Sequence, residues 1–205
     1  MIATFKLMRQ VLVHPIDFFH DIQEPGRIKW RDAAVVMLLT YIARMVAILA
    51  TGYAFETREP YEISFLHEFI WLIVPWLTWS VANWAVSAIL EGEGKFKEVF
   101  VGSAFAFVPY MVFIVPVTLL TNVIALDEDS IYSFLINLTI VWVAWLLLLK
   151  VKIINDFELV KMLWITFLSI VGILIIWFVG ILMFGLMNQL INFVVDLFKE
   201  LNFRR

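Results

Sequence analysis

Apolar runs alternate with short polar links along the whole chain, at 33–55, 66–90, 100–126, 131–149 and 162–187. A hydrocarbon core of about 30 Å needs about 20 helical residues to cross it, and each run comes near or exceeds that length. Backbone groups in lipid must bond within the segment, and the runs are too long for barrel strands. The pattern predicts an all-α fold: a polytopic transmembrane helix bundle with five spans. The links fall at 56–65, 91–99, 127–130 and 150–161, and the shortest makes the third and fourth runs an antiparallel hairpin. A re-entrant third run, holding Pro109 and Pro116, would leave four crossings instead.

The flanks follow a different period. Residues 1–32 read as an amphipathic segment in which Phe5, Met8 and Leu12 share a face and Lys6, Arg9 and Gln10 lie off it. Pro15 ends that helix, because the residue before a proline avoids the helical region. Residues 188–205 carry a stripe of Leu190, Val194, Leu197 and Leu201, opposed by Asn192, Asp196, Lys199 and Glu200. Such helices lie in the headgroup plane, extend a span or dock on a partner. Domain organisation is therefore an N-terminal segment, a five-helix domain over 33–187 and a C-terminal amphipathic helix.

Composition agrees. The 205 residues are 63% hydrophobic and 16% charged, with mean hydropathy +0.93, against about 45–50% apolar and about 25% charged in soluble domains. The lipid bilayer is the first partner implied. Thiol chemistry is absent with cysteine, and no basic stripe interleaved with aromatics points to nucleic acid. Lys6 and Arg9 interrupt the first residues, so a cleavable signal peptide is not expected. Lys6, Arg9, Arg27, Lys29, Arg31, Lys95, Lys97, Lys150, Lys152 and Lys161 fall on one side of a five-span arrangement. Only Arg58, Lys199, Arg204 and Arg205 fall on the other. The positive-inside rule then predicts a cell-membrane protein with a cytoplasmic N-terminus and the C-terminus outside.

Arg44 is the residue with the strongest chemical implication. It sits at the midpoint of the 33–55 run, about 16 Å deep at about 1.5 Å per residue. A guanidinium there costs about 2.5 kcal/mol or more unless it finds acceptors. Asn83 and Thr78 on the second run, with Asn137 and Thr139 on the fourth, lie at compatible depth. They make either an interhelical pin or a polar path. The link Glu91-Gly92-Glu93-Gly94-Lys95-Phe96-Lys97 reads as a helix stop with glycines free to take positive φ. It is also a candidate partner-docking loop through Gly92, Gly94, Lys95 and Lys97. It is not a phosphate loop, which needs G-x-x-x-x-G-K-[ST]. Gly102 with Ala106, and Gly172 with Gly180, have spacings suited to close helix packing. No metalloprotease or serine-hydrolase motif occurs, and His14, Asp17 and His20 are only a loose ligand set. No enzyme activity, cofactor or metal is expected.

Three stretches carry a family resemblance. They are His14-Pro15-Ile16-Asp17-Phe18-Phe19; Asn83-Trp84 followed by Glu91-Gly92-Glu93-Gly94-Lys95-Phe96-Lys97-Glu98-Val99-Phe100; and Pro109-Tyr110. With the five-run pattern, the chain resembles the Yip (Ypt-interacting protein) family of polytopic membrane proteins, in its bacterial branch. The resemblance implies five spans, a cytosolic N-terminus and no catalytic residues. In eukaryotic members it also implies Rab-type GTPase association, but their Asp-Leu-x-Gly-Pro signature does not occur here, so GTPase binding is not expected. For bacterial members it implies a non-enzymatic accessory or scaffold subunit assembled with other integral membrane proteins. Those partners include ABC-type transporters. Further copies of the chain are a separate partner expected from this reading. The alternative reading is a small transporter or channel with a polar path around Arg44.

Overall fold

The computed structural model describes residues 2–56 and 63–203, and their regular structure is helical throughout. Arg58, Glu59, Glu62, Arg204 and Arg205 lie outside the described residues. Two short helices come first, α1 (Ile2–Val13) and α2 (Pro15–Asp21). Next come α3 (Trp30–Ala50), α4 (Phe65–Ile89), α5 (Phe96–Phe105), α6 (Val108–Leu119), α7 (Asp129–Ile154) and α8 (Leu159–Phe203). Taking α5 and α6 as one segment, five segments are long and apolar enough to cross a membrane. Polar residues set several helix starts by accepting otherwise orphaned amide protons. The Asp32 carboxylate accepts from the Lys29 N–H at 2.8 Å, Glu98 from that of Lys95 at 3.2 Å, and Ser64 Oγ from that of His67 at 3.3 Å.

The third run is broken but not turned back. Pro109 has no N–H, and its ring crowds the carbonyl four residues earlier, so the helix yields at Ala106 and Phe107 and resumes at Val108. At one end, the Trp30 ring lies 5.9 and 5.2 Å from Phe96 and Phe100. At the other, the Gly52 N–H donates to Thr121 Oγ1 at 2.8 Å, and Asn122 Nδ2 donates to the Ala50 carbonyl at 2.9 Å. The α5–α6 segment therefore runs parallel to α3 along its whole length. This is a full traversal, not a re-entrant loop. One end of the bundle carries α1, α2 and the links after α4 and α7, and is hereafter the basic end. The opposite end carries the exposed Asp127, Glu128 and Asp129 and is the acidic end.

Several boundaries differ from the sequence reading, each for a local reason. α3 stops at Ala50 because Thr51 is extended and Gly52 turns against Thr121. α7 continues through Lys150 and Lys152 to Ile154, leaving a link of only 155–158. α8 has no break between residues 187 and 188, so the amphipathic tail continues the fifth helix.

The N-terminal segment packs against the bundle. Leu7, Met8 and Val11 are buried while Phe5 is exposed, which rotates the buried face of α1 from the one expected. Phe18, Phe19 and Ile22 are fully buried, with Phe18 5.0 Å from the Phe105 ring, and Gln23 Nε2 donates to the Ile153 carbonyl at 3.1 Å. Thus α1 and α2 plug the basic end of the bundle.

Candidate functional site

Two polar centres lie inside the spans, one toward each end. The first is built on Lys150. Helical spacing puts Val143, Leu146, Lys150 and Ile154 on one buried face of α7, so the ammonium is carried inward with its apolar neighbours. Its Nζ donates to Asn83 Oδ1 at 2.6 Å and to Ser103 Oγ at 3.1 Å, and lies 5.6 Å from the centre of the Trp79 ring. Asn83 Nδ2 in turn donates to Ser169 Oγ at 3.2 Å. Ser103 and Ser169 donate to the carbonyls of Val99 and Ile165 in their own helices, both at 2.7 Å. Four segments, α4, α5, α7 and α8, are tied by one ammonium, and among the described residues no carboxylate pairs with it. A Cβ at Gly102 would stand 3.2 Å from Lys150 Cγ, so that glycine admits the lysine stem.

The second centre is built on Arg44. Nε donates to Glu68 Oε2 at 2.6 Å, Nη2 pairs with the same carboxylate, and Nη1 donates to the Tyr110 hydroxyl at 2.8 Å. The Glu68 side chain is 5% exposed and that of Arg44 30%. α3 ends six residues past Arg44, which puts the guanidinium about 9 Å from the helix end at about 1.5 Å per residue. It lies past the midpoint of α3 toward the acidic end, and its partner is not among the residues expected. Glu68, one turn into α4, meets it at the acidic end.

The remaining expected site residues are scattered. Asn83 belongs to the Lys150 centre. Asn137 is exposed on α7 and joins neither centre, a correction to its expected inward position. Thr78 and Thr139 donate to carbonyls of their own helices, at 2.9 Å each, and do not reach Arg44. Gly92 and Gly94 have no positive φ; that role falls to Glu91, at φ 62°. The two glycines are instead required by close approach. A Cβ on either would lie 2.7 Å from Asn155 Oδ1, and the Gly94 N–H donates to that oxygen at 3.3 Å. Lys95 is exposed and pairs with Glu98 at 3.5 Å, while Lys97 is half-buried. His14, Asp17 and His20 are exposed, and among the described residues no cluster of three His, Cys, Asp or Glu could hold a metal.

Sequence reasoning missed Lys150, Glu68, Tyr110, Ser103 and Ser169. For Lys150 a signal was present: Val151, Ile153 and Ile154 continue the apolar run beyond it. Glu68 gave none, since a carboxylate near a span's start reads equally well as interfacial.

Along α4, Glu68 and Asn83 are separated by about 22 Å at about 1.5 Å per residue. Buried Leu72 and Trp76 intervene, and Ser80 donates to its own helix. The arrangement can lock helices together at two depths. It defines a polytopic α-helical membrane protein whose charged groups are tied within the bundle. Residues 9–182 match the Yip1 domain family, and the chain belongs to that family. No curated protein and no solved structure matches it.

Proposed function

We propose that the protein is a non-enzymatic accessory or scaffold subunit that assembles with other integral membrane proteins. One observation carries this reading. The first four segments bury 28–50% of their most apolar window within the bundle, whereas α8 buries 6%. At 45 residues, α8 is about 68 Å long at about 1.5 Å per residue, more than twice a hydrocarbon core of about 30 Å. A groove between it and α4 extends as far as Phe184 and His67, near the start of α4. Beyond that point Ile191, Phe193, Val195 and Phe198 stay exposed. Lipid covers such residues only within the bilayer. Past it, the apolar stripe of this amphipathic stretch needs a protein neighbour.

The neighbour is proposed to be a helix of another membrane protein. An ABC-type transporter subunit is the first to test, and a second copy of this chain is a distinct outcome. The basic end, with α1 and α2, is proposed to face the cytoplasm and the α8 tail the opposite side of a cell membrane. The motif stretches support the bacterial branch of the family. The transporter or channel reading has weaker support, because the two polar centres are separated by packed apolar side chains.

A photo-crosslinking residue at Phe193, in cells, should give one adduct of defined mass containing a second membrane protein, and one at Val112 should not. The proposal fails if Phe193 yields no protein adduct, or if the purified chain alone moves a solute in proteoliposomes.

A further inference from the structure

Two cavities meet at Arg44 and Tyr110, and their characters are opposite. A slot of about 300 Å³ lies between α4 and α7, lined by Trp71, Leu72, Phe107, Ile140 and Val143 besides those two residues. Trp71 and Ile140 are 56% and 51% exposed, so the slot opens sideways, toward acyl chains. A vestibule of about 210 Å³ lies on the other side of the pair, toward the acidic end, and takes in Thr51, Glu56, Thr118 and Tyr132. Together the two fall within the range of small-molecule sites, about 300–1,000 Å³.

We propose that slot and vestibule form one binding site for a bilayer phospholipid. An acyl chain enters the slot from the side, and the phosphate of the headgroup sits at Arg44 and Tyr110. The donors are suited to this. A guanidinium has five N–H groups in a rigid fork. Among the described residues, Glu68 and Tyr110 engage Nε and one hydrogen on each terminal nitrogen, and the second hydrogen of each terminal nitrogen is left for a ligand. Forked donors of this kind match phosphate oxygens. Glu68 holds the guanidinium in place and balances its charge, and Glu56 adds a carboxylate to the vestibule, so the site offers a phosphate its donor geometry rather than a net positive charge. Zwitterionic phospholipids qualify on that basis.

A second groove supplies an internal comparison. It lies between α4 and α8, measures about 570 Å³, and has Trp177, Ile181 and Phe184 on its α8 wall, with no lysine, arginine or carboxylate among the described residues lining it. Lipid there is held by apolar contact alone, as around any span.

The test uses the full chain in nanodiscs containing phosphatidylethanolamine with a photoactivatable diazirine in its acyl chain, followed by peptide mapping. Labelling at Phe107, Ile140 and Val143 is expected to exceed that at Trp177 and Phe184 at least fivefold. Ile140→Trp, which fills the slot and leaves the Arg44–Glu68 pair intact, should reduce the first set at least fivefold without changing the second. Arg44→Gln should do the same, with folding checked by gel filtration. Millimolar inorganic phosphate should leave the labelling unchanged. Equal labelling of slot and groove, or insensitivity to Ile140→Trp, means only annular lipid and overturns the proposal. Displacement by inorganic phosphate would identify a soluble anion site and overturn it equally.

Discussion

Lys150 donates to Asn83 at 2.6 Å from a position with no exposed surface, and Asn83 passes the connection to Ser169 on α8. The candidate span least buried in the bundle is thereby joined to it through a fully buried ionisable side chain.

The amide is expected to matter more than the ammonium. Asn83→Leu leaves the ammonium buried without its shortest partner. It should destabilise the protein by about 2–3 kcal/mol, well above the average interhelical hydrogen bond in membranes of about 0.6 kcal/mol. Lys150→Met strands less, because Ser103 and Ser169 already donate to their own helices and Asn83 keeps Ser169. Its cost should stay within about 1 kcal/mol. Unfolding in sodium dodecyl sulfate of both variants and the double variant gives the comparison. The account is wrong if the double variant is less stable than Asn83→Leu alone.

At the other centre, Glu68→Leu removes the carboxylate paired with Arg44, while Glu68→Gln retains an acceptor. The leucine variant should lose about 2 kcal/mol and the glutamine variant about half of that, since Arg44 is partly exposed and its charge is screened. The same unfolding measurement applies. Equal losses would show that shape rather than charge holds the pair.

Two glycines should respond in opposite ways to a methyl group. Gly52→Ala drives a Cβ into the Thr121 backbone carbonyl and should cost about 1–3 kcal/mol. Gly180→Ala, with nothing within 4 Å of the new atom, should be neutral or stabilising by up to about 1 kcal/mol. Thermal denaturation in detergent distinguishes them, and a stable Gly52→Ala protein would contradict the close approach of Gly52 to Thr121.

Topology is directly accessible because the chain contains no cysteine. Single cysteines replacing the exposed Glu24 and Asp127 should react with a membrane-impermeant maleimide from opposite faces of sealed vesicles. Labelling of both from the same face would exclude the five-traversal order.

How far the sequence could be read depended on the scale of the question. The five-span class follows from solvent preference, which sums over some twenty residues at a time. Errors of a few positions do not disturb it. Boundaries were less legible, and their errors propagated. Counting 51–55 into the first run placed Arg44 at mid-membrane and turned the search for its partner toward Asn83 and Asn137. Ending the fourth run before Lys150 assigned to a link the charge that ties four segments together. The N-terminal motif was visible as His14-Pro15-Ile16-Asp17-Phe18-Phe19, yet only packing shows Phe18 and Phe19 plugging the bundle.

By itself, then, the order of apolar and polar residues determined that this chain is helical and made for lipid, and how many times it can cross, because transfer from water to hydrocarbon is nearly additive along a helix. Which face of each helix turns inward, that Arg44 meets Glu68 and Tyr110, and that Lys150 reaches Asn83 and Ser103 were decided only in three dimensions. A buried charge chooses its partner by distance and by the acceptors that neighbouring helices present, and neither is a property of position in the chain.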